Sequence, residues 1–203
     1  TLMMVNNETG AVTDIAGVAR ALRAAKSKAL LHTDAVQGFM KEPFSAKTLG
    51  ADMISVSGHK VHAPKGIGAL YIRQGLKLPA HILGGGQEEG LRSGTEPMPQ
   101  IAAFGEAVRI AKAEMPEANK RMEALRAQCV QTLADTVPGI VFLGGGSAHI
   151  LSLSLPGYRS EVLMNYLEAK GIYVSKSSAC KRGKRSHVLE AIDAPDKVID
   201  GAL

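Results

Sequence analysis

Short apolar runs punctuated by polar ends dominate the first third of the chain. Leu2-Met-Met-Val5, Ala29-Leu-Leu-His-Thr33 and Asp52-Met-Ile-Ser-Val56 are too short for core helices, and each gives way to polar residues. Such runs predict buried strands. Between the first two, residues 14–26 carry Ile15, Val18, Ala19 and Leu22 at helical spacing, which is the βαβ pattern of a mainly parallel sheet. Gly66-Ile-Gly-Ala-Leu-Tyr-Ile72 predicts one more short strand after a Pro-Lys-Gly turn. From residue 97 to about 136 the period becomes helical, with Ile101, Phe104, Val108 and Ile110 in its first part and Met122, Leu125, Cys129, Val130 and Leu133 in its second. Pro116 predicts a break or kink there. Residues 139–143, 150–155 and 171–175 then predict strands, with a helix over 161–170. The fold class is α/β, with a mainly parallel sheet in residues 1–115 and the start of a smaller α/β domain in 116–203.

The strand ends carry the chemistry. Ser57-Gly-His-Lys60 follows the third apolar run, so Lys60 sits just past a buried strand beside a hydroxyl, a glycine and an imidazole. A lysine amine there suits a cofactor aldehyde, and its neighbours suit a phosphate. The second run ends in Asp34-Ala-Val-Gln37. A carboxylate at that end projects into the crevice where open α/β sheets bind ligands, and an aspartate there can keep a pyridine nitrogen protonated. The first run ends in Asn6-Asn-Glu-Thr-Gly10, so three strands deliver polar groups to one edge. Plainer roles exist for each residue: Asp34 as a cap, Asn6 and Asn7 as turn residues, the glycines at 84–86 as a turn. His32, His62 and His81 are assigned to packing or solvent, and His59, next to Lys60, to the site.

Composition narrows the classes. No apolar stretch in the 203 residues approaches the roughly 20 needed for a spanning helix, and a soluble, cytoplasmic protein is expected. The net charge of +5 and the cluster Lys181-Arg-Gly-Lys-Arg185 raise the question of nucleic acid. The lack of aromatic residues around the cluster and of any recognised nucleic-acid module argues against it. Two cysteines are too few for a disulfide framework. Cys129 lies on the helical stripe and is expected to be buried packing. Cys180 lies among serines and just before the cations, which favour a reactive thiolate.

Taken in order, Asn6-Asn-Glu-Thr-Gly10, His32-Thr-Asp-Ala-Val-Gln37, Ser57-Gly-His-Lys60, Gly84-Gly-Gly-Gln-Glu88, Arg92-Ser-Gly-Thr-Glu96 and Ser177-Ser-Ala-Cys180 resemble the pyridoxal-phosphate-dependent cysteine desulfurases of the class V aminotransferases. The resemblance implies a fold type I transferase. Residues 1–115 would be part of its large cofactor-binding domain, and 116–203 part of its small domain with the catalytic-cysteine loop. It also implies that the chain is an internal fragment, without the family's N-terminal phosphate loop, ring-stacking histidine and substrate-carboxylate arginine.

By the same resemblance Lys60 binds pyridoxal 5'-phosphate and shuttles protons. Asp34 holds the ring nitrogen, Gln37 the ring oxygen, Ser57 and His59 the phosphate, and Asn7 the cofactor's substrate side. Thr95 reaches the phosphate of the other subunit of a homodimer. Cys180 takes sulfur from L-cysteine as a persulfide, releasing L-alanine and passing the sulfur to a scaffold or carrier protein for iron–sulfur cluster or other thio-cofactor synthesis. No metal, membrane or direct nucleic-acid partner is expected. Lys176 and Ala63 depart from the family pattern, and neither is assigned to the chemistry. Two other readings stay open: a selenocysteine lyase or sulfide-releasing C–S lyase on the same scaffold, and a non-catalytic binding fragment.

Overall fold

The computed structural model describes residues 1–176 and 185–203. They divide into two compact units: Thr1–Val5 with Thr13–Pro116, and Asn6–Val12 with Glu117–Leu203. The chain therefore enters the second unit twice.

The first unit is built on a four-stranded sheet, β1 (Leu2–Met3), β2 (His32–Asp34), β3 (Met53–Ser57) and β4 (Gly68–Ile72), in that order. The first two pairings are parallel, with Met3 opposite Asp34 and Asp34 opposite Ser55. The last is antiparallel, with Ser57 opposite Gly68, so the sheet is mixed and mostly parallel. Helix α1 (Ile15–Ala24) starts where Asp14 accepts the Gly17 N–H at 2.7 Å, and it buries Ile15 and Ala19. Its partner α2 (Ala46–Leu49) opens on a Ser45–Thr48 capping box and ends on Gly50 at φ 70°. Met4, Val5, Leu31, Ala35, Leu49, Ala51, Ile54 and Val61 complete the buried apolar set.

Asp52 fastens three segments of this unit. It accepts the Leu31 N–H at 2.8 Å and the Arg73 Nε–H at 2.7 Å, joining the approach to β2, the start of β3 and the end of β4. Those hydrogen bonds, the Leu31 N–H first, hold its carboxyl below the ordinary aspartate range.

Helix α3 (Met98–Thr136) continues past Pro116, so of the expected break or kink the break is absent. A proline removes one backbone donor and need not end a long helix. Early in α3, Phe104 packs edge-to-face on Phe39, with ring centroids 6.3 Å apart.

In the second unit, β5 (Val141–Leu143) and β6 (Ser152–Ser154) form an antiparallel pair. The chain end lies along β6, with Leu153 and Leu203 exchanging backbone hydrogen bonds at 3.1 and 2.8 Å. Helix α4 (Ser160–Glu168) follows, and α5 (His187–Ala191) and α6 (Asp196–Asp200) come late. Leu143, Leu189, Ile199 and Ala202 form the core. The expected strand over 171–175 is absent: after α4 the chain turns at Gly171, φ 77°, and leaves Ile172 and Tyr173 exposed without a ladder. Strand β6 has no edge to offer, because β5 takes one and residues 201–203 the other.

Residues 6–12 form a hook inside this second unit. Asn6 closes a turn by accepting the Glu8 and Thr9 N–H groups, each at 2.9 Å. The Ser147 N–H donates to the Gly10 carbonyl at 3.0 Å, and Ala11 bridges Gly146. A Cβ on Gly144 would lie 2.6 Å from Thr9, so the hook and the 144–147 loop meet backbone to backbone. Glu8 also accepts a hydrogen bond from Ser186, the N-cap of α5.

Candidate active site

Parallel pairing puts the carboxyl ends of β2 and β3 at one sheet edge, and Asp34, Gln37, Ser57, His59 and Lys60 lie at or just past those ends. Asp34 is the last residue of β2; one carboxylate oxygen accepts the Val36 N–H at 2.9 Å, which fixes the side chain against its own turn. Gln37 lies in that turn, where the Gly38 and Phe39 N–H groups both return to the Ala35 carbonyl. Ser57 ends β3, two residues beyond the partner of Asp34.

Beyond Ser57 the chain makes a single 3₁₀ turn, Gly58–Val61, that carries His59 and Lys60. The Ser57 hydroxyl and His59 Nδ1 lie 2.7 Å apart, a hydrogen bond that fixes the imidazole beside the strand end. Gly58 is buried, and a Cβ there would lie 2.7 Å from Ile67 Cγ2 and 3.1 Å from Ala63 Cβ. Only glycine lets the turn sit this close to the next segment. His62, at φ 65°, closes the turn through its N–H to the Gly58 carbonyl, and the Ala63 N–H reaches the same oxygen at 3.0 Å.

Lys41, which the sequence pattern did not single out, belongs to this edge. It ends the turn that begins at Asp34, is half-buried, and donates from Nζ to the Lys60 carbonyl oxygen at 2.9 Å. Burial holds its ammonium below the usual lysine range, and the neighbouring Lys60 charge adds to the effect. Its position a few residues past a strand-end carboxylate, just before Glu42-Pro43, is the one sequence cue to it.

The remaining candidates are placed differently. Thr95 is exposed on the loop before α3, outside the Asp34–Lys60 edge. Asn7 is exposed on the hook and belongs to the second unit. Cys180 lies outside the described residues. Cys129 is exposed rather than buried. It lines an open concavity of about 1060 Å³ in the second unit with Leu133, Ile140, Tyr166, Ile172 and Leu189. Helical period shows which residues share a face, while what covers that face is decided elsewhere in the fold. Among the described residues no helix is long and apolar enough to cross a membrane.

This is an α/β fold with its polar cluster at the carboxyl edge of parallel strands. The model of the aminotransferase class-V family matches residues 1–194, and the chain belongs to that family. It is 39% identical over 206 residues to cysteine desulfurase 2 of Trichormus variabilis, covering 99% of this chain and 51% of that protein. It is 40% identical to cysteine desulfurase IscS of Tolumonas auensis, covering all of this chain and 50% of that one. The chain thus spans about half the length of these relatives. Among solved structures, a NifS-like protein superposes with a TM-score of 0.89 at 39% identity, over 99% of this chain and 54% of the other. A structure described as SspA in complex with cysteine gives 0.71 at 30% identity, over 99% and 57%.

Proposed function

We propose that the protein carrying this chain is a pyridoxal-phosphate-dependent cysteine desulfurase. In the proposed reaction L-cysteine and an enzyme thiol give L-alanine and an enzyme persulfide. The observation that carries this reading is the meeting of Asp34, Ser57, His59 and Lys60 at one sheet edge. The donor set fits the cofactor: an amine for its aldehyde, a carboxylate for its pyridine nitrogen, and a hydroxyl–imidazole pair for its phosphate. The names of the relatives, and the cysteine in the SspA complex, support the substrate.

When bound, the cofactor supplies an electron sink for the substrate Cα. Lys60 holds it and moves protons at that carbon. Asp34 keeps the ring nitrogen protonated, and its bond to Val36 N–H restrains the carboxylate in that role. Gln37 donates to the ring oxygen, Ser57 and His59 hold the phosphate, and Asn7 faces the substrate side. Thr95 completes the phosphate site of the other subunit in a homodimer. Cys180 is the thiolate that takes the sulfur, favoured by Lys181, Arg182, Lys184 and Arg185 nearby in sequence. A scaffold or carrier protein then receives the sulfur for iron–sulfur cluster or other thio-cofactor synthesis, in the cytoplasm.

The test is made on the natural protein that carries this sequence. Lys60→Ala should remove the visible band of the bound cofactor and reduce alanine production by about 10³-fold or more. Cys180→Ser should leave that band and stop alanine release, while the wild type, exposed briefly to cysteine without reductant, gains one sulfur on the Cys180 peptide. A band that survives Lys60→Ala refutes the lysine assignment. A Cys180→Ser protein that turns over cysteine at the wild-type rate leaves a C–S lyase in place of a desulfurase.

A further inference from the structure

Lys41 has no part in the chemistry just proposed, yet it touches the residue on which that chemistry rests. We propose that Lys41 is a positioning residue for Lys60: its ammonium, bonded to the Lys60 carbonyl, ties the turn after β2 to the turn after β3. It thereby sets where the Lys60 amine stands relative to Asp34. This rests on the reading of Lys60 as the cofactor lysine.

A single 3₁₀ turn is a weak element, with poor hydrogen-bond geometry and terminal carbonyls that lack partners within the helix. In Gly58–Val61 the first residues are fixed by the close approach of Gly58 to Ile67 and by the Ser57–His59 bond. The Gly58 carbonyl is used twice, by His62 and Ala63 N–H. The Lys60 carbonyl lies at the open end of the turn and is met by Lys41 Nζ at 2.9 Å. A cationic donor on a terminal carbonyl makes the stronger, charge-assisted kind of hydrogen bond and suits the negative end of the turn.

The other end of the connection is equally defined. Lys41 closes the loop that starts at Asp34: its own N–H reaches the Gly38 carbonyl at 3.0 Å, and Met40 before it adopts φ 56°. That left-handed conformation is costly for methionine. The loop therefore accepts backbone strain directly before Lys41, and the side chain accepts partial burial of a charge beside a second ammonium. An apolar residue would fill this space without the second cost. The bond from Nζ to the Lys60 carbonyl is one that an apolar residue could not make.

Lys41→Met and Lys41→Arg in the natural protein test the proposal by two readouts. The first is amide hydrogen exchange at His62 and Ala63, whose N–H groups close the turn. The second is the rate at which added pyridoxal 5'-phosphate, trapped by borohydride and mapped by peptide mass, attaches to Lys60. Lys41→Met should speed exchange and slow attachment about tenfold each, the equivalent of one charge-assisted hydrogen bond. Lys41→Arg should restore both. Faster exchange with attachment at the wild-type rate would leave Lys41 a merely structural residue and overturn the proposal; unchanged exchange overturns it outright. If the wild type takes no cofactor at Lys60, the cysteine-desulfurase reading fails, and the exchange comparison still decides whether Lys41 holds the turn.

Discussion

Asp52 shows how one short side chain can govern a sheet whose strands are only a few residues long. Its two oxygens take a buried segment's N–H and an arginine just past the edge strand β4, and its side chain is only 17% exposed. Asp52→Ala leaves the Leu31 N–H without its partner, where burial makes a lost bond costly. It should lower unfolding free energy by about 1–3 kcal/mol in urea titrations. The pH dependence follows from the direction of the shift. The carboxyl is depressed in the folded state, so its stabilisation is complete above the ordinary value of about 4 and is lost as pH falls through the folded value. The gap in stability between wild type and Asp52→Ala should therefore be constant near neutrality and close in acid. A gap that does not begin to narrow as pH falls below about 4 would show that the carboxylate's charge has no share in it.

At the scale of elements, the 3₁₀ turn after β3 is defined by exclusion of volume as much as by hydrogen bonds. Gly58→Ala places a methyl 2.7 Å from Ile67 Cγ2, so either the turn or the Ile67 segment must shift. The expected cost is about 1–3 kcal/mol, read as a lower urea midpoint, together with faster exchange of the Ala63 amide. A variant with the wild-type midpoint would mean that the 63–67 segment yields freely. The placement of the candidate site was legible in sequence wherever polar residues followed the end of an apolar run. Asp34 and Lys60 could be read because parallel strands put their carboxyl ends at one edge, a rule independent of side-chain detail. Lys41 could not, because its contact joins two loops across 19 residues and carries no periodic signal. The run over 171–175 shows only that a segment is able to pair; pairing needs a partner strand, and here Ile172 and Tyr173 stay exposed without a ladder. Pro116 shows the converse: it does not end α3, a helix long enough to continue with one backbone donor missing.

At the scale of the molecule, the path of the backbone matters more than any single contact. The chain passes from the first unit to the second after Val5, returns after Val12, and crosses again at Pro116. Residues 6–12 are bonded into the second unit through Gly10–Ser147 and Ala11–Gly146. The two units are thus stitched rather than strung. Cutting one peptide bond in α3 near Pro116 should yield two fragments that co-elute under native conditions and part only in denaturant. Fragments that separate in buffer would disprove this. The same path makes a gene split at residue 117 a poor way to obtain the second unit, since the piece would lack the strip of backbone on which its 144–147 loop is built. A permuted or truncated version that keeps residues 6–12 covalently with 117–203 is the unit that can be inherited, swapped or engineered as a whole.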